Sequence, residues 1–234
     1  MTAPAQTRRL RDAFPGVCAR KADPVPPPHI YKTASVWLVR VEDTGTPRAG
    51  RAPYAPRPVD AEFGVMTDWP KDIYDVLKEA DIRQVSYVPD AGHARLIEMC
   101  TDDNDIRSIP LATELEGVGI AAGAWLGGER AVLLMQSSGV GNCINAFSLL
   151  KNCRFPFLTV IGMRGEFGEG NPWQVPMGQA TGKLLEAMGL IVYWVRKAED
   201  VRPTMEAAVQ IAFKAMNPVA VVLSQRLIGA KSFG

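Results

Sequence analysis

The sequence predicts a doubly wound α/β fold, with a mostly parallel, six-stranded sheet and helices on both faces. From Asp68 onward, helical stretches of roughly 10 to 15 residues alternate with short apolar runs, a pattern typical of βαβ units. The chain has 234 residues and 47% hydrophobic content, which is enough to bury the core of such a domain. We therefore expect one folded domain over residues 66–234.

The predicted elements follow one another in a regular order, each strand being a short apolar run and each helix a longer stretch between runs. The first half is predicted as helix 70–80, strand 84–88, helix 92–100, strand 106–110, helix 114–127 and strand 131–136. The second half is predicted as helix 140–152, strand 157–162, helix 177–188, strand 191–195, helix 201–216 and strand 219–223.

The helix predicted at 201–216 shows the most complete set of helix signals. Asp200 can cap its first turn, and Pro203 lies within that turn, where a missing N–H does no harm. Its expected buried stripe consists of Met205, Val209, Ala212, Phe213 and Met216.

Residues 1–65 differ from the rest in composition. Prolines recur there without helical periodicity, at positions 24, 26–28, 47, 53, 56 and 58, and this predicts an extended, Pro-rich arm. The run Ser35–Val41 interrupts the arm. It predicts either one short strand against a neighbouring subunit or an apolar patch on an unpacked tail.

Charge and cysteine content argue against several classes of function. Lys and Arg total 26 against 25 Asp and Glu, so no net field favours a nucleic acid or an anionic membrane. The four cysteines form no CxxC pair and have no histidine at metal-ligand spacing, which indicates free thiols in a reducing cytosol.

No apolar run approaches the roughly 18 residues of a membrane helix, so we expect a cytoplasmic protein. An organelle transit peptide in the Arg-rich beginning is the alternative.

Ligands of a doubly wound sheet bind in the loops at the carboxyl ends of the strands. Four loops qualify, those after Val88, Pro110, Gln136 and Gly162. The first loop presents Asp90 and His93 near the start of a helix. Asp90 could simply cap that helix and His93 could simply be solvated, so it is the position at the binding edge that favours a functional role.

The second loop leads into a helix with Glu114 and Glu116 in its first turn. At that position the helix macrodipole stabilises a negative charge by roughly 0.3 to 1 kcal/mol. The simpler interpretation of the two acids is therefore that they cap the helix at the protein surface. However, the helix is almost wholly apolar and small from Gly117 onward, so it can pack closely on both sides. A carboxylate at its entrance would be partly desolvated, which is typical of functional groups.

The third loop, 136–142, resembles a phosphate cradle, because its glycines let backbone amides approach a ligand just before a helix. It matches neither the dinucleotide pattern GxGxxG nor a P-loop, which would need a lysine. The fourth loop, 164–179, is long, aromatic and polar, as both active-site lids and subunit contacts are.

With only His29 and His93 available, no Ser-His-acid constellation can be assembled, so hydrolase chemistry is disfavoured.

As an ordered set, these loops resemble the pyrimidine-binding domain of thiamine-diphosphate-dependent decarboxylases, and most closely the sulfopyruvate and phosphonopyruvate decarboxylase group. The segments that carry the resemblance are Val88-Pro89-Asp90, Glu114 with Gly123 nine residues later, Met135-Gln-Ser-Ser-Gly-Val-Gly-Asn142, Arg164-Gly-Glu and Pro176-Met-Gly-Gln179. The third of them is close to that group's MQNSGLGN. The resemblance spans about residues 68–225 and leaves the arm unexplained.

The resemblance implies a role for Glu114, which in this family hydrogen-bonds the aminopyrimidine ring and thereby helps the cofactor lose its thiazolium proton. Glu116 is the weaker candidate, because the spacing to Gly123 selects Glu114. The implied cofactor-binding residues are Glu114, Gln136, Ser138, Gly139 and Asn142. The implied substrate-side residues are Asp90, His93, Gln136 and Ser137. Ser137 stands where the group usually has Asn, which leaves the substrate open.

The resemblance also implies that half of the site comes from elsewhere. No segment of the sequence is similar to the family's diphosphate- and magnesium-binding segment, a Gly-Asp-Gly followed by an Asn pair, and Mg²⁺ needs such oxygen ligands. The implied assembly is a hetero-oligomer in which a β subunit brings the diphosphate-binding domain and Mg²⁺. Its interface would bury roughly 2,000 Å² or more.

The implied reaction is the decarboxylation of a small 2-oxo acid, with 3-sulfopyruvate giving sulfoacetaldehyde and CO₂. A phosphonopyruvate decarboxylase-like enzyme is the nearest alternative. Alternatives of other classes are a phosphate- or nucleotide-binding module and a catalytically silent scaffold subunit. Arg95, Arg164, Lys183 or a residue of the partner could bind the substrate's terminal anion.

Overall fold

The computed structural model describes residues 68–230. The Pro-rich arm predicted over residues 1–65, with the strand considered at 35–41, lies outside the described residues. Within residues 68–230, helices and strands alternate as the sequence predicts, except after the third strand, where two helices follow each other.

The sheet has six strands, all parallel. They are β1 Ile82–Tyr87, β2 Arg107–Pro110, β3 Arg130–Gln136, β4 Phe157–Gly162, β5 Ile191–Val195 and β6 Pro218–Leu223. Their order across the sheet is β2-β1-β3-β4-β6-β5, and every neighbouring pair is parallel. The predicted fold class is confirmed, and every strand boundary lies within two residues of the predicted one.

Helices cover both faces of this sheet. They are α1 Trp69–Glu79, α2 Ala94–Asp102, α3 Glu114–Leu126, α4 Ser137–Cys143, α5 Phe147–Cys153, α6 Val175–Ala187, α7 Val201–Val209 and α8 Gln225–Ile228. Two short 3₁₀ helices, Pro172–Gln174 and Ala198–Asp200, precede α6 and α7. None of the helices between residues 68 and 230 is both long and apolar enough to cross a membrane.

Strand β3 shows why helices must cover both faces of the sheet, because its apolar side chains point to both sides. Val132 and Leu134 belong to a buried cluster with α1, α2 and α7, whereas Leu133 and Met135 belong to a second cluster with α3, α4, α5 and α6. Successive side chains of a strand point to opposite faces, so an uninterrupted apolar run supplies both clusters. The apolar runs in the sequence are therefore strands buried on two sides.

The region after β3 differs from the prediction. The sequence predicts a glycine-lined loop over 136–142, but α4 begins at Ser137, directly after the strand. The single helix predicted at 140–152 is two helices, α4 and α5, separated by a turn. Gly139 and Gly141 are therefore helical residues, and the phosphate-cradle interpretation loses the loop on which it depends.

The end of the predicted helix 201–216 also differs. α7 ends at Val209 and continues as a π-helical turn, Gln210–Lys214. Asp200, the expected cap, makes no side-chain hydrogen bond to the first turn. Met205 is buried as expected, but Met216 is exposed because the helix has already ended and the backbone there has a φ of 57°.

Candidate active site

The carboxyl edge of the sheet brings the candidate loops together. Strands β1 and β3 are neighbours, and the helix after β1 packs on one face of the sheet whereas the helix after β3 packs on the other. Such a divergence opens a crevice at the carboxyl ends of the two strands, where doubly wound proteins bind ligands. Asp90 follows β1 and Gln136 ends β3, so both lie at this crevice.

Glu114 is the first residue of α3 and is only 8% exposed. Its Oε2 accepts a hydrogen bond of 2.9 Å from Nδ2 of Asn142 on α4. Among the described residues, no donor is found on Oε1. The structure thus brings together two of the residues that the resemblance selects, and one of the two carboxylate oxygens has no described donor.

Gly139 allows the Glu114 carboxyl group to lie against the backbone of α4. A Cβ atom at Gly139 would lie 2.5 Å from Cγ and Cδ of Glu114, closer than non-bonded atoms approach. Farther along α3, a Cβ atom at Gly117 would overlap the side chain of Leu133 on β3. The absence of a side chain at these two glycines sets how closely α3 packs, and this packing keeps Glu114 buried.

Glu116 is exposed and has a different contact. Its Oε2 accepts a hydrogen bond of 3.0 Å from the backbone N–H of Ala112, just before the helix. An acid in the first turn that reaches back to the preceding backbone stabilises the start of a helix. Capping therefore belongs to Glu116, and the buried position belongs to Glu114.

Cys143, on α4, lies close enough to Glu114 for its thiol to be affected by the carboxylate. Burial raises the pKa of the Cys143 thiol to about 12, and the negative charge of Glu114 adds to this effect. A thiol with such a pKa stays protonated near neutral pH and is a poor nucleophile. Cys143 is therefore a neutral neighbour of Glu114 near neutral pH.

A second group of polar side chains links β1 and β3 across the crevice. Nε2 of Gln136 donates a hydrogen bond of 3.0 Å to Oδ1 of Asp90, whose side chain is 6% exposed. Oγ of Ser138 donates to Oε1 of Gln136 at 3.3 Å. Three of the expected site residues thus form a connected chain that ends beside Gly139.

His93 lies behind Asp90. Its side chain is 1% exposed, and its Nδ1 is 3.3 Å from Oδ2 of Asp90, although the two atoms are not aligned for a hydrogen bond. Burial by itself acts to raise the pKa of the Asp90 carboxyl, but His93, the backbone N–H of Gly92 and Gln136 outweigh it, so the pKa lies below its ordinary value. The imidazole has almost no surface with which to contact a substrate, contrary to what the resemblance implies.

Ser137, also expected on the substrate side, is fully buried. Its Oγ donates to the backbone oxygen of Arg164 at 3.1 Å and accepts from the backbone N–H of Arg164 at 3.0 Å. These two bonds satisfy the hydroxyl group and join α4 to the loop after β4. The structure gives Ser137 an internal contact and not a position on the crevice surface.

The loop after β4 is held by an ion pair that the sequence did not predict. Nε and Nη2 of Arg164 contact the two carboxylate oxygens of Glu169 at 2.7 and 2.8 Å. Glu169 also accepts hydrogen bonds from the backbone N–H groups of Gly165 and Asn171 and from Gln225. Arg164 is the main cause that lowers the pKa of the Glu169 carboxyl to about 2.

Gln225, at the start of α8, ties the same loop to the C-terminal segment. Its Oε1 accepts hydrogen bonds from the backbone N–H groups of Glu166 and Phe167, at 2.7 and 2.8 Å. In return, the Glu166 carboxylate accepts from Oγ of Ser224 and from the backbone N–H of Gln225. These reciprocal contacts join residues that are far apart in sequence, and no local pattern signals them.

The three basic residues considered for the substrate's terminal anion have different surroundings. Arg95 pairs with Asp68, and Lys183 is exposed on α6. Glu169 is the main group that raises the pKa of Arg164, and Asp90 adds to it, so Arg164 lies near the crevice with its guanidinium already held. Within residues 68–230, no group of three or more His, Cys, Asp or Glu side chains is placed to hold a metal ion.

The amino edge of the sheet carries another polar depression, of about 730 Å³. Its lining residues are Asp81, Arg83, Asn104, Asp105, Ile106, Arg107, Gly128, Glu129 and Arg130. Arg83 pairs with Asp81 at 2.6 Å in an exposed contact. Doubly wound sheets bind ligands at the opposite edge, where a depression of about 850 Å³ is lined in part by Asp90 and Arg95, so the carboxyl edge remains the candidate active site.

Large apolar side chains are exposed around the carboxyl edge. Leu115 follows Glu114 on α3, and Phe167, Trp173 and Val175 lie on or next to the loop after β4. Trp173 is 87% exposed, and the guanidinium of Arg226 lies 3.8 Å from the ring centroid of Phe167. Exposed aromatic side chains beside a polar site are typical of protein–protein interfaces.

The chain is similar to curated decarboxylase subunits. It is 36% identical to the sulfopyruvate decarboxylase subunit alpha of Methanococcus maripaludis over 152 residues, which cover 64% of this chain and 91% of that protein. It is 37% identical to the subunit alpha from Methanocaldococcus jannaschii over 151 residues, or 64% and 89% of the two chains. The phosphonopyruvate decarboxylase of Streptomyces viridochromogenes is 35% identical over 117 residues, covering 49% of this chain and 30% of that protein. These relatives confirm the resemblance drawn from the loop residues.

Solved structures bear on the fold alone. The 2-oxoglutarate:ferredoxin oxidoreductase from Magnetococcus marinus, with 2-oxoglutarate, coenzyme A and succinyl-CoA bound, superimposes with a TM-score of 0.55. The match has 14% sequence identity and covers 66% of this chain and 28% of that one, so it supports a shared fold and nothing finer. No protein-family model matches the chain.

Proposed function

The chain belongs to the family of sulfopyruvate decarboxylase α subunits, and we propose that with a partner chain it forms a thiamine-diphosphate-dependent decarboxylase. The proposed reaction converts 3-sulfopyruvate to sulfoacetaldehyde and CO₂. The observation that carries the proposal is the buried carboxylate of Glu114, held by Asn142 and packed on Gly139 at the carboxyl edge.

The residues of this cluster fit the aminopyrimidine ring of thiamine diphosphate. A ring nitrogen needs a carboxyl oxygen that is free of other donors, and Oε1 of Glu114 meets this need while Oε2 is held by Asn142. A side chain at position 139 would fill the space that the carboxyl group occupies. We propose that Glu114, Gln136, Ser138, Gly139 and Asn142 form the cofactor-binding set.

When bound, the cofactor supplies the electron sink that decarboxylation of a 2-oxo acid requires. On this chain, Glu114 holds or shares a proton at Oε1, and its low exposure limits the competition from water at that atom. Asn142 fixes the other oxygen, so the carboxyl group keeps its orientation. Asp90, held by Gln136, lies on the substrate side of the crevice.

We propose that a β subunit supplies the diphosphate-binding domain and Mg²⁺. The relatives are named as alpha subunits, which supports the existence of a partner. The exposed apolar side chains around the carboxyl edge, among them Leu115 and Trp173, support its location next to Glu114. We place the assembly in the cytoplasm, because the free thiols of Cys100, Cys143 and Cys153 suit a reducing compartment.

Phosphonopyruvate is the second candidate substrate, since phosphonopyruvate decarboxylases are also relatives. The alpha subunits match over about nine-tenths of their length, whereas the two Streptomyces enzymes match over 30% and 26% of theirs. The aligned stretch of this chain is also longer with the alpha subunits, 152 and 151 residues against 117 and 105, and this longer match favours 3-sulfopyruvate. Release of CO₂ from the two acids, measured side by side with both chains present, decides between them.

Substitution of Glu114 by Gln tests the proposed function. Glutamine keeps the size of the side chain and can still contact Asn142, but it cannot accept or release a proton as a carboxyl group does. In the enzyme reconstituted with its β subunit, we expect CO₂ release from 3-sulfopyruvate to fall by about a thousandfold. The β subunit is sought first in the reading frame that adjoins the gene of this chain.

Glu116→Gln is the matched control, because Glu116 lies in the same helical turn but is exposed. We expect its rate to stay within about twofold of the original enzyme. A normal rate in Glu114→Gln would remove Glu114 from its proposed role. Equal losses in both variants would assign the effect to the charge of the helical turn and not to the buried carboxyl group.

A further inference from the structure

His93 is buried beside the crevice but does not reach its surface. Its side chain is 1% exposed, and neither ring nitrogen is aligned for a hydrogen bond with any described residue. Buried imidazoles usually have a polar partner. The polar atom that His93 approaches is Oδ2 of Asp90, 3.3 Å from Nδ1.

We propose that His93 is a positioning residue, which holds the Asp90 carboxylate against Gln136 and does not itself touch the substrate. The inference rests on the proposed function, because it concerns a carboxylate on the proposed substrate side. It reassigns His93, which the family resemblance places in contact with the substrate.

The backbone fixes Asp90 and His93 relative to each other. The N–H of His93 donates a hydrogen bond of 3.2 Å to the backbone oxygen of Asp90, which closes a tight turn before α2. The next turn of the helix begins at His93 itself, whose backbone oxygen accepts from the N–H of Ile97 at 2.8 Å. The imidazole is therefore anchored by the helix and not by its own side-chain contacts.

Gly162, at the end of β4, closes the other side of the pair. A Cβ atom there would lie 3.1 Å from Cε1 of His93 and 3.3 Å from Oδ2 of Asp90. Both contacts would be tight, so the bare backbone of β4 leaves just enough room for the imidazole and the carboxylate together. Gly92, in the turn between Asp90 and His93, also leaves room for the carboxylate, because a Cβ atom there would lie 3.0 Å from Oδ2 of Asp90.

The charges around Asp90 agree with a positioning role for His93. Burial raises the pKa of the Asp90 carboxyl, whereas His93, the N–H of Gly92 and Gln136 lower it and prevail. Arg164 also acts on Asp90 from the loop after β4, but its guanidinium is paired with Glu169. If the His93 nitrogens are removed, burial should therefore raise the pKa of the Asp90 carboxyl.

Two substitutions separate positioning from substrate contact. His93→Phe removes both nitrogens and keeps a planar aromatic ring, somewhat larger than the imidazole, and His93→Asn returns an amide nitrogen at about the place of Nδ1. In the full-length chain with ¹³C-labelled aspartate carboxyl groups, NMR titration reports the pKa of Asp90, with Asp90→Asn to assign the signal. We expect this pKa to rise by about one unit in His93→Phe and to return most of the way in His93→Asn.

The reconstituted enzyme gives a second readout. The acid limb of the kcat/KM profile should shift upward by about one pH unit in His93→Phe, a loss of about tenfold on that limb, with kcat/KM on the alkaline side within about threefold. Thr159→Val is the control, because it removes a different buried polar group, a hydroxyl that donates to the backbone oxygen of Leu133 at 2.8 Å, without touching Asp90. Its pH profile should not move.

An unchanged Asp90 pKa in a folded His93→Phe variant would overturn the inference. So would equal losses of kcat/KM at every pH in both His93 variants, since that result would assign His93 to substrate contact. The NMR titration needs neither the β subunit nor a substrate. Failure to release CO₂ from any 2-oxo acid would therefore count against the proposed function and leave the positioning of Asp90 to be judged by NMR.

Discussion

Both edges of the sheet carry acidic and basic side chains, but they hold them differently. At the amino edge, Arg83 and Asp81 form an exposed pair above a depression of about 730 Å³. At the carboxyl edge, the side chains of Asp90 and Glu169 are 6% and 2% exposed, and Glu114 is buried as well. Each of these three carboxylates has a partner within the protein. Both edges therefore have charged side chains and a depression, and they differ in how deeply their carboxylates are buried.

This difference favours the carboxyl edge as the candidate active site. Removing a carboxylate from water is costly unless donors within the protein offset the loss, whereas an exposed pair contributes only about 0 to 1 kcal/mol. Asn142 and Gln136 supply such donors to Glu114 and Asp90. A buried carboxylate with a supporting amide is therefore stronger evidence for a site than a large depression lined by exposed charges.

The largest expected contrast between the edges is in stability. Glu169→Gln breaks the buried pair with Arg164 and should lower the free energy of unfolding by about 3 kcal/mol, because a buried guanidinium loses its counter-charge. Asp81→Asn breaks the exposed pair at the amino edge and should cost less than about 0.5 kcal/mol. Urea denaturation of the two variants near neutral pH measures both. Similar losses in the two variants would contradict the comparison.

The same pair has a defined pH dependence. The pKa of Glu169 is lowered to about 2 in the folded protein from an ordinary value of 4.5. Its stabilisation is therefore complete above the unfolded-state pKa and is lost as the pH falls from there toward 2. The difference between the original chain and Glu169→Gln should shrink over that acid range. A difference that stays constant down to about pH 3 would show that the ion pair is not its source.

Local sequence patterns were sufficient for most of the sheet. Strands Phe157–Gly162 and Ile191–Val195 were predicted to the residue, because each is an apolar run between turns. The start of α3 at Glu114 was also predicted, since acids in the first turn and a small, apolar continuation are local features. These signals depend on neighbours in sequence, which is why they could be used without a structure.

The helix after β3 could not be predicted in the same way. Glycines disfavour the interior of an isolated helix, so the segment Ser137–Asn142 suggests a loop. In the structure, Gly139 packs on Glu114 and Gly141 faces Met177, and these tertiary contacts favour helix over loop. The burial of His93 behind Asp90 likewise depends on Gly162, which lies on another strand.

Gly139→Ala tests whether the carboxyl edge depends on close packing. The added methyl group would force the Glu114 carboxyl group away from α4 and from Asn142, and we expect activity to fall about thirtyfold, within what a displacement of about 1 Å can cost. Gly119→Ala is the control, because nothing lies within 4 Å of a Cβ atom there. It should keep full activity and gain up to about 1 kcal/mol in stability, since alanine favours helices over glycine.

If Gly139→Ala were as active as Gly119→Ala, the carboxyl group of Glu114 would be able to act from a second position, displaced from α4. In that case the close packing on α4 would not be required for function. Measuring both activity and thermal unfolding separates this result from a general loss of folding.

The smallest expected effect concerns the surface. Trp173 at the carboxyl edge and Leu126 at the amino edge are 87% and 74% exposed, so they are matched in exposure and differ in location. Trp173→Ala should weaken binding of the β subunit about tenfold, because exposed aromatic residues at interfaces often contribute most of the affinity. Leu126→Ala should leave the affinity within about twofold. Titration calorimetry with the β subunit measures both, and an equal effect would show that the partner does not distinguish the two edges.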